Sequence, residues 1–296
     1  MSLTFTGERF LPECAGEMVY EHWHRYLIAR EHVAGKRVLD APCGEGYGSH
    51  LLAGKALAVV GTDISTDAVA HANKRYSGAN LSYVSANCTH IPEPDASFDV
   101  IISFEMIEHI HEQAEFLREV ARLLKPDGLF IISSPNRPEY SDRTGYKNEY
   151  HVKELDQAEL KALLDPHFSA QQWFAQKAAF HSMVWPLDQP ATSAAALAID
   201  GTNAYPEAMY FMVFCARDPS RLNNVQSQLS LVADREHSVY AEWSRTYREN
   251  AMLQKQIAEL RPAAAASTNN VIEATTVNEP WLVRLARRLT GSVPRR

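Results

Sequence analysis

Between residues 37 and 135 short apolar runs alternate with stretches of helical periodicity, and this alternation constrains the fold more than any other feature. Arg37-Val38-Leu39-Asp40, Ala58 to Asp63, Leu81 to Ser85, Phe98 to Ser103 and Leu129 to Ser133 read as strands. Residues 46–54, 66–76 and 112–124 between them read as helices. The last carries Phe116, Val120, Leu123 and Leu124 on one face, and Lys125-Pro126-Asp127-Gly128 stops it. Strand and helix in turn are the signature of a parallel α/β sheet. Apolar runs near 168–176 and 208–216, separated by an insertion rich in Ala and Pro, predict an antiparallel hairpin at the sheet edge.

With 296 residues the chain holds one large domain plus extra elements, or two domains. A formal charge of −7 argues against general nucleic-acid binding, though it leaves room for a local basic patch. Cys14, Cys43, Cys88 and Cys215 are scattered without a CxxC pair, which speaks against a disulfide framework or structural zinc and fits a reducing cytoplasm. The first residues lack the pattern of a signal peptide, and no window approaches the apolar length of a membrane-spanning helix.

The first strand runs into Asp40-Ala41-Pro42-Cys43-Gly44-Glu45-Gly46-Tyr47-Gly48, a glycine-rich turn leading into a helix. Glycines there let the backbone approach a ligand closely, because no Cβ intervenes. The G-x-G-x-G spacing differs from the G-x-G-x-x-G of dinucleotide binding. Asp63 ends the next strand, where a carboxylate can accept both hydroxyls of a ribose.

In order and approximate spacing, "VLDAPCGEGYGS", "VVGTDIS", "FDVIISFEMIEHI" and "LLKPDGLFIISSPN" resemble the class I S-adenosylmethionine-dependent methyltransferases. The resemblance is strong over residues 35–135 and looser over 1–216. It implies a Rossmann-like, seven-stranded α/β sheet and S-adenosyl-L-methionine as cofactor. Asp40, Gly44 and Gly46 would line the methionine part, Asp63 the ribose, and Ile64 an adenine face. Asn87 stands where the family often has an Asp reaching the adenine amino group. Ser103, Phe104 and Glu105 would close the pocket beside the sulfonium.

On the acceptor side, a helical Phe104–His109 segment would set Glu105, Glu108 and His109 on one face, with His151 able to approach the same mouth. Two carboxylates and two imidazoles suit a divalent ion such as Mg2+ or Mn2+, and His109 or His151 suits a general base. The set resembles the ExxEH-plus-His constellation of metal-dependent RNA 3′-end 2′-O-methyltransferases and some quinone O-methyltransferases. Alternatively its members simply cap and pack. The N-terminal "FTGERFLPE" and Tyr20-Glu21-His22-Trp23-His24-Arg25-Tyr26 resemble the lid of small methyltransferases found among polysaccharide-biosynthesis enzymes. Tyr20, His24 and Arg25 would then cover the cofactor or grip the acceptor; otherwise the segment is a helix packed on the sheet.

A catalytic domain is expected over 1–218, followed by a long helix over 219–261. Val225, Leu229, Val232, Glu236, Val239, Trp243, Thr246, Asn250, Leu253, Ile257 and Leu260 recur at alternating steps of four and three, and eight of these eleven are apolar. That pattern predicts a coiled coil self-associating through 222–261, or a helix folding back on the domain. Residues 262–279 read as a flexible linker and 280–296 as a basic amphipathic tail. In the tail, Trp281, Leu282, Leu285 and Leu289 lie apart from Arg284, Arg287 and Arg288. It suits an anionic membrane surface or a partner protein, or else is a solvated end.

The layout is similar to chain-terminating methyltransferases of O-antigen synthesis. It implies O-methylation of a glycan or sugar precursor in surface polysaccharide biosynthesis, in the cytoplasm and peripherally at the inner membrane face. Methylation of an RNA 3′ end or a quinone-like small molecule is the alternative, and a non-catalytic coiled-coil scaffold another.

Overall fold

The computed structural model describes residues 9–14, 16–179, 205–234 and 237–274, and the chain divides into two units, 1–235 and 236–296. In the first unit lie strands β1 (Arg37–Asp40), β2 (Ala58–Asp63), β3 (Leu81–Ser85), β4 (Phe98–Ser103), β5 (Leu124–Pro135), β6 (Ala170–Gln176) and β7 (Tyr210–Ala216). They form one seven-stranded sheet in the order β3-β2-β1-β4-β5-β7-β6. Every pairing from β3 to β5 is parallel, as the alternation with helices predicts. The expected edge hairpin is present, and β7 runs antiparallel to both β5 and β6, inserting between them.

Helices α1 (Glu17–Arg30), α2 (Tyr47–Ala53), α3 (Thr66–Arg75), α4 (Gln113–Leu123) and α5 (Gln157–Leu164) cover the sheet. The central strands are apolar almost without interruption because both faces are covered; Val100, Ile101, Ile102, Phe130, Ile131 and Ile132 are all buried. On one face Phe116, Leu117, Val120 and Leu123 of α4 pack with Phe130, Ile132 and Leu160. On the other, Tyr26, Ala29 and Val33 pack with Val38, Val59, Val100 and Ile131. In α1, Glu21, Arg25, Tyr26 and Ala29 face inward at helical spacing, so the N-terminal helix is part of the sheet's covering layer.

The heptad pattern misplaced the start of the long helix. Asp218 caps a single turn at Pro219–Leu222, and Val225 then buries itself in the core cluster containing Phe10 and Met212. Gln172 Nε2 donates to Val225 O and to Ser227 Oγ, tying this stretch to β6. Burying one apolar side chain in a formed core outweighs local periodicity here. In the second unit α6 spans Ser238–Ala274, starting later than expected and running into the expected linker. Four consecutive alanines at 263–266, the residue of highest helix propensity, account for that extension. Tyr247, Met252, Leu253 and Ile257 of α6 are exposed. The basic tail at 280–296 lies outside the described residues. Among the described residues no helix is long and apolar enough to cross a membrane.

Candidate active site

The glycine-rich turn leaves β1 and enters α2 at the carboxyl edge of the parallel strands, where open α/β sheets bind their ligands. Gly46 has φ of 98° and caps α2 in the left-handed region, and a Cβ on it would lie 2.7 Å from Ala72 Cβ. A Cβ on Gly48 would lie 2.1 Å from Tyr26 Cζ, far closer than the ring permits. The turn is therefore fixed by packing from α3 on one side and α1 on the other.

Asp40 is fully buried at the end of β1. Its carboxylate accepts from Ser49 Oγ at 2.6 Å and Tyr26 Oη at 3.0 Å. Burial pushes its pKa up to about 7, with the two hydroxyl donors opposing the shift and nearby Asp63 adding to it. Asp63 accepts from Gly44 N at 3.1 Å and Ser65 N at 2.8 Å, so its carboxylate faces the turn as a ribose acceptor should. Ile64 is 74% exposed beside it, an open apolar face of the kind an adenine stacks on. The Asn87 amide oxygen, expected to meet an adenine amino group, closes a local turn instead, accepting from Thr89 N and Oγ1. A surface cleft of about 360 Å3, lined by Arg30, His50, Gly54 and Asn80, lies at the far end of α2 and touches none of these groups.

At the end of β4, Ser103 and Phe104 are buried, and Phe104 meets Tyr26 edge-on at 5.1 Å between centroids. Glu105 follows with φ of 48°, a strained conformation for a residue bearing a Cβ. Glu105 does not share a helical face with Glu108 and His109, because Ile107–His109 is a single tight turn. Ser133 Oγ donates to Glu105 Oε1 at 2.6 Å, and Arg25 Nη1 lies 3.6 Å from the same oxygen. The expected metal set thus loses Glu105, whose carboxylate is held by β5 and α1.

Glu108, His109 and His151 do come together, with one ligand atom from each lying within 4.8 Å of the others. His109 Nδ1 lies 3.0 Å from the Tyr150 carbonyl, which only accepts; the proton is therefore on Nδ1 and Nε2 is the basic nitrogen. His151 Nδ1 meets Glu154 Oε1 at 2.6 Å, and its Nε2 accepts from Asn148 Nδ2 at 3.0 Å. Both carboxylate oxygens of Glu108 are buried without a hydrogen-bond partner. Desolvation first, then repulsion from Glu105 and Glu154, raises its pKa well above the ordinary carboxylate range. These orphaned acceptors fit a cation, with His109 and His151 as imidazole ligands, provided His151 releases Asn148.

Two residues expected to face the pocket do not. Tyr20 Oη donates to Asp234 and His24 Nε2 pairs with Ser230, both toward the chain returning along α1. They occupy a helical face rotated away from Glu21, Arg25 and Tyr26. Arg25 does reach the mouth. It is 1% exposed, donates from Nε to Gln176 Oε1 at 2.6 Å, and stacks over the Tyr210 ring at 4.6 Å. Beside it, burial raises Glu21 to about 7, opposed chiefly by Arg25. Sequence reading missed Arg9, Tyr26, Ser133 and Glu154. Arg9 and Tyr26 lay within the N-terminal segments already singled out, and Glu154 three residues after His151, whereas Ser133 carried no local signal.

Residues 39–132 match the family described as Methyltransferase domain. A probable S-adenosylmethionine-dependent methyltransferase of Mycolicibacterium smegmatis is 41% identical over 167 residues, covering 55% of this chain and 64% of that protein. A ubiquinone biosynthesis O-methyltransferase of Burkholderia multivorans is 36% identical over 116 residues, covering 38% of this chain and 50% of that protein. The chain therefore spans less than two thirds of the length of these curated relatives. Among solved structures, the complex of the Haloferax volcanii Trm112 methyltransferase activator with a methyltransferase aligns with a TM-score of 0.51 at 20% identity. That alignment covers 67% of this chain and 90% of the matched one. Over residues 39–132 the chain is similar to methyltransferase domains, and its sheet has the class I fold.

Proposed function

We propose that this chain transfers the methyl group of S-adenosylmethionine to a hydroxyl oxygen of a glycan or sugar precursor. The observation that carries the donor half is the pairing of the Gly44 turn with Asp63, whose carboxylate is oriented by Gly44 N and Ser65 N. Bound there, S-adenosylmethionine supplies an electrophilic methyl on its sulfonium. The reaction is an in-line displacement: the acceptor oxygen bonds the methyl carbon, and the carbon–sulfur electron pair stays on sulfur. The hydroxyl proton leaves to His109 Nε2, the basic nitrogen that the Tyr150 carbonyl selects.

The character of the mouth favours a neutral acceptor. Four carboxyl groups, Glu21, Glu105, Glu108 and Glu154, crowd there with the buried Arg25, whose guanidinium already lies 3.6 Å from Glu105, a set that offers a phosphate or carboxylate little attraction close to the methyl. This weighs against an RNA 3′ end. A quinone-like phenol is the second reading, favoured by the relative named for ubiquinone biosynthesis. A divalent ion, if held on Glu108, His109 and His151, would take the His109 Nε2 lone pair and replace that base by acidifying a bound hydroxyl.

The full chain is incubated with methyl-labelled S-adenosylmethionine and cell extract fractionated into glycan, lipid, RNA and small-molecule pools. Label should enter the glycan pool, and His109→Ala should lower turnover roughly 10²- to 10⁴-fold without changing donor affinity. Label confined to the RNA, lipid or quinone-bearing pool refutes the glycan assignment.

A further inference from the structure

Arg9 lies across the glycine turn. Its Cγ and Cδ stand 3.8 and 4.0 Å from where a Cβ on Gly44 would be, and its Nη2 is 3.7 Å from Asp63 Oδ1. The aliphatic stem thus covers the first glycine, while the guanidinium reaches the acid that ends β2. Neighbours hold the segment in this position. Phe10 is 4% exposed, stacked on His22 at 4.6 Å and edge-on to Tyr47 at 5.1 Å. Glu13 pairs with Arg75 Nη2 at 2.7 Å, and Arg75 Nη1 lies 3.4 Å from Glu45, the buried acid inside the turn. Residues 9–14 are therefore fastened to the turn by an ion pair at each end and an aromatic wedge between them.

We propose that Arg9 is a cofactor-contact residue that closes over the ribose of the bound donor; the proposal rests on the reading that this turn takes S-adenosylmethionine. The chemistry is complementary. A ribose hydroxyl that donates its hydrogen to Asp63 keeps lone pairs on its oxygen. A guanidinium beside the same carboxylate offers a rigid fork of donors to fill them. Asp63 and Arg9 then grip the diol from its two hydrogen-bonding sides. The pair also retains a positive partner for a carboxylate that is only 6% exposed, before and after the ligand enters.

The test is calorimetric titration of the full chain with S-adenosylmethionine, S-adenosylhomocysteine and 5′-methylthioadenosine, which shares the ribose but lacks the amino-acid end. Arg9→Ala and Arg9→Met should each weaken all three ligands by roughly tenfold, the scale of a hydrogen bond to a charged group. Arg9→Lys, which keeps the charge but loses the fork, should fall between these and the native protein. Arg9→Met keeps the stem over Gly44, so it decides the matter should Arg9→Ala prove unfolded by its thermal transition. Affinities unchanged or tighter in these variants overturn the proposal. So does a loss confined to the two ligands with a methionine carboxylate, which would move the contact away from the ribose. A native protein that binds none of the three overturns the reading of the turn as well, a result distinct from normal binding that ignores Arg9.

Discussion

Asp40 and Glu21 show how single residues set the pH behaviour of the folded protein. Burial raises both to about 7, from ordinary values near 4 in the unfolded chain. Between those values the folded state keeps protons that the unfolded state releases. Their contribution to stability is therefore lost as pH rises from about 4 to about 7, and then stays lost. The Asp40 shift alone amounts to a few kcal/mol at neutral pH, an order-of-magnitude figure. Asp40→Asn should accordingly show a smaller drop in denaturant midpoint between pH 5 and pH 8 than the native protein. Equal drops in the two proteins would mean that Asp40 does not carry this proton. Glu105 marks the limit of reading at this scale. Its partners, Ser133 and Arg25, come from distant parts of the chain, and its φ of 48° follows from no local pattern.

Among the elements, legibility tracked locality. β1, β2, β4 and the helices between them are written as period and punctuation, and the structure places them within a residue or two of the reading. Reversed β7 is inferable only as half of a hairpin; its position between β5 and β6 is a matter of topology. The stretch around Val225 failed because its seam-like spacing was overridden by the core, a contact that no local period encodes. The ExxEH segment failed for a related reason. Its strand exit needs a backbone turn at Glu105, so the i, i+3, i+4 geometry of a helix never forms. What remains of the heptad pattern lies on α6, where Leu253 and Ile257 are exposed and share its seam. We expect the full chain to self-associate through this seam. Leu253→Glu combined with Ile257→Glu should shift its sedimentation to that of a monomer without altering its melting temperature. A native protein that already sediments as a monomer excludes the seam as an interface.

For the whole molecule, the proposed donor and acceptor sites lie along one sheet edge but were unequally readable. The donor side is compact in sequence: turn, strand and acid are about 20 residues apart, and their family resemblance is matched by the domain over residues 39–132. The acceptor side is assembled from α1, the ends of β4 and β5, and the loop holding Tyr150 and His151, so only its most local motif stood out. Its carboxyl cluster and the hydrogen bonds of its imidazoles are properties of the assembled mouth. The central claim is that the turn and Asp63 bind S-adenosylmethionine, and titration of that ligand into the full chain and into Asp63→Asn tests it most directly. The account predicts one ligand bound per native chain and an affinity at least about tenfold weaker in the variant, the cost of losing a charged acceptor. No binding by the native chain, or equal binding by both, would contradict it.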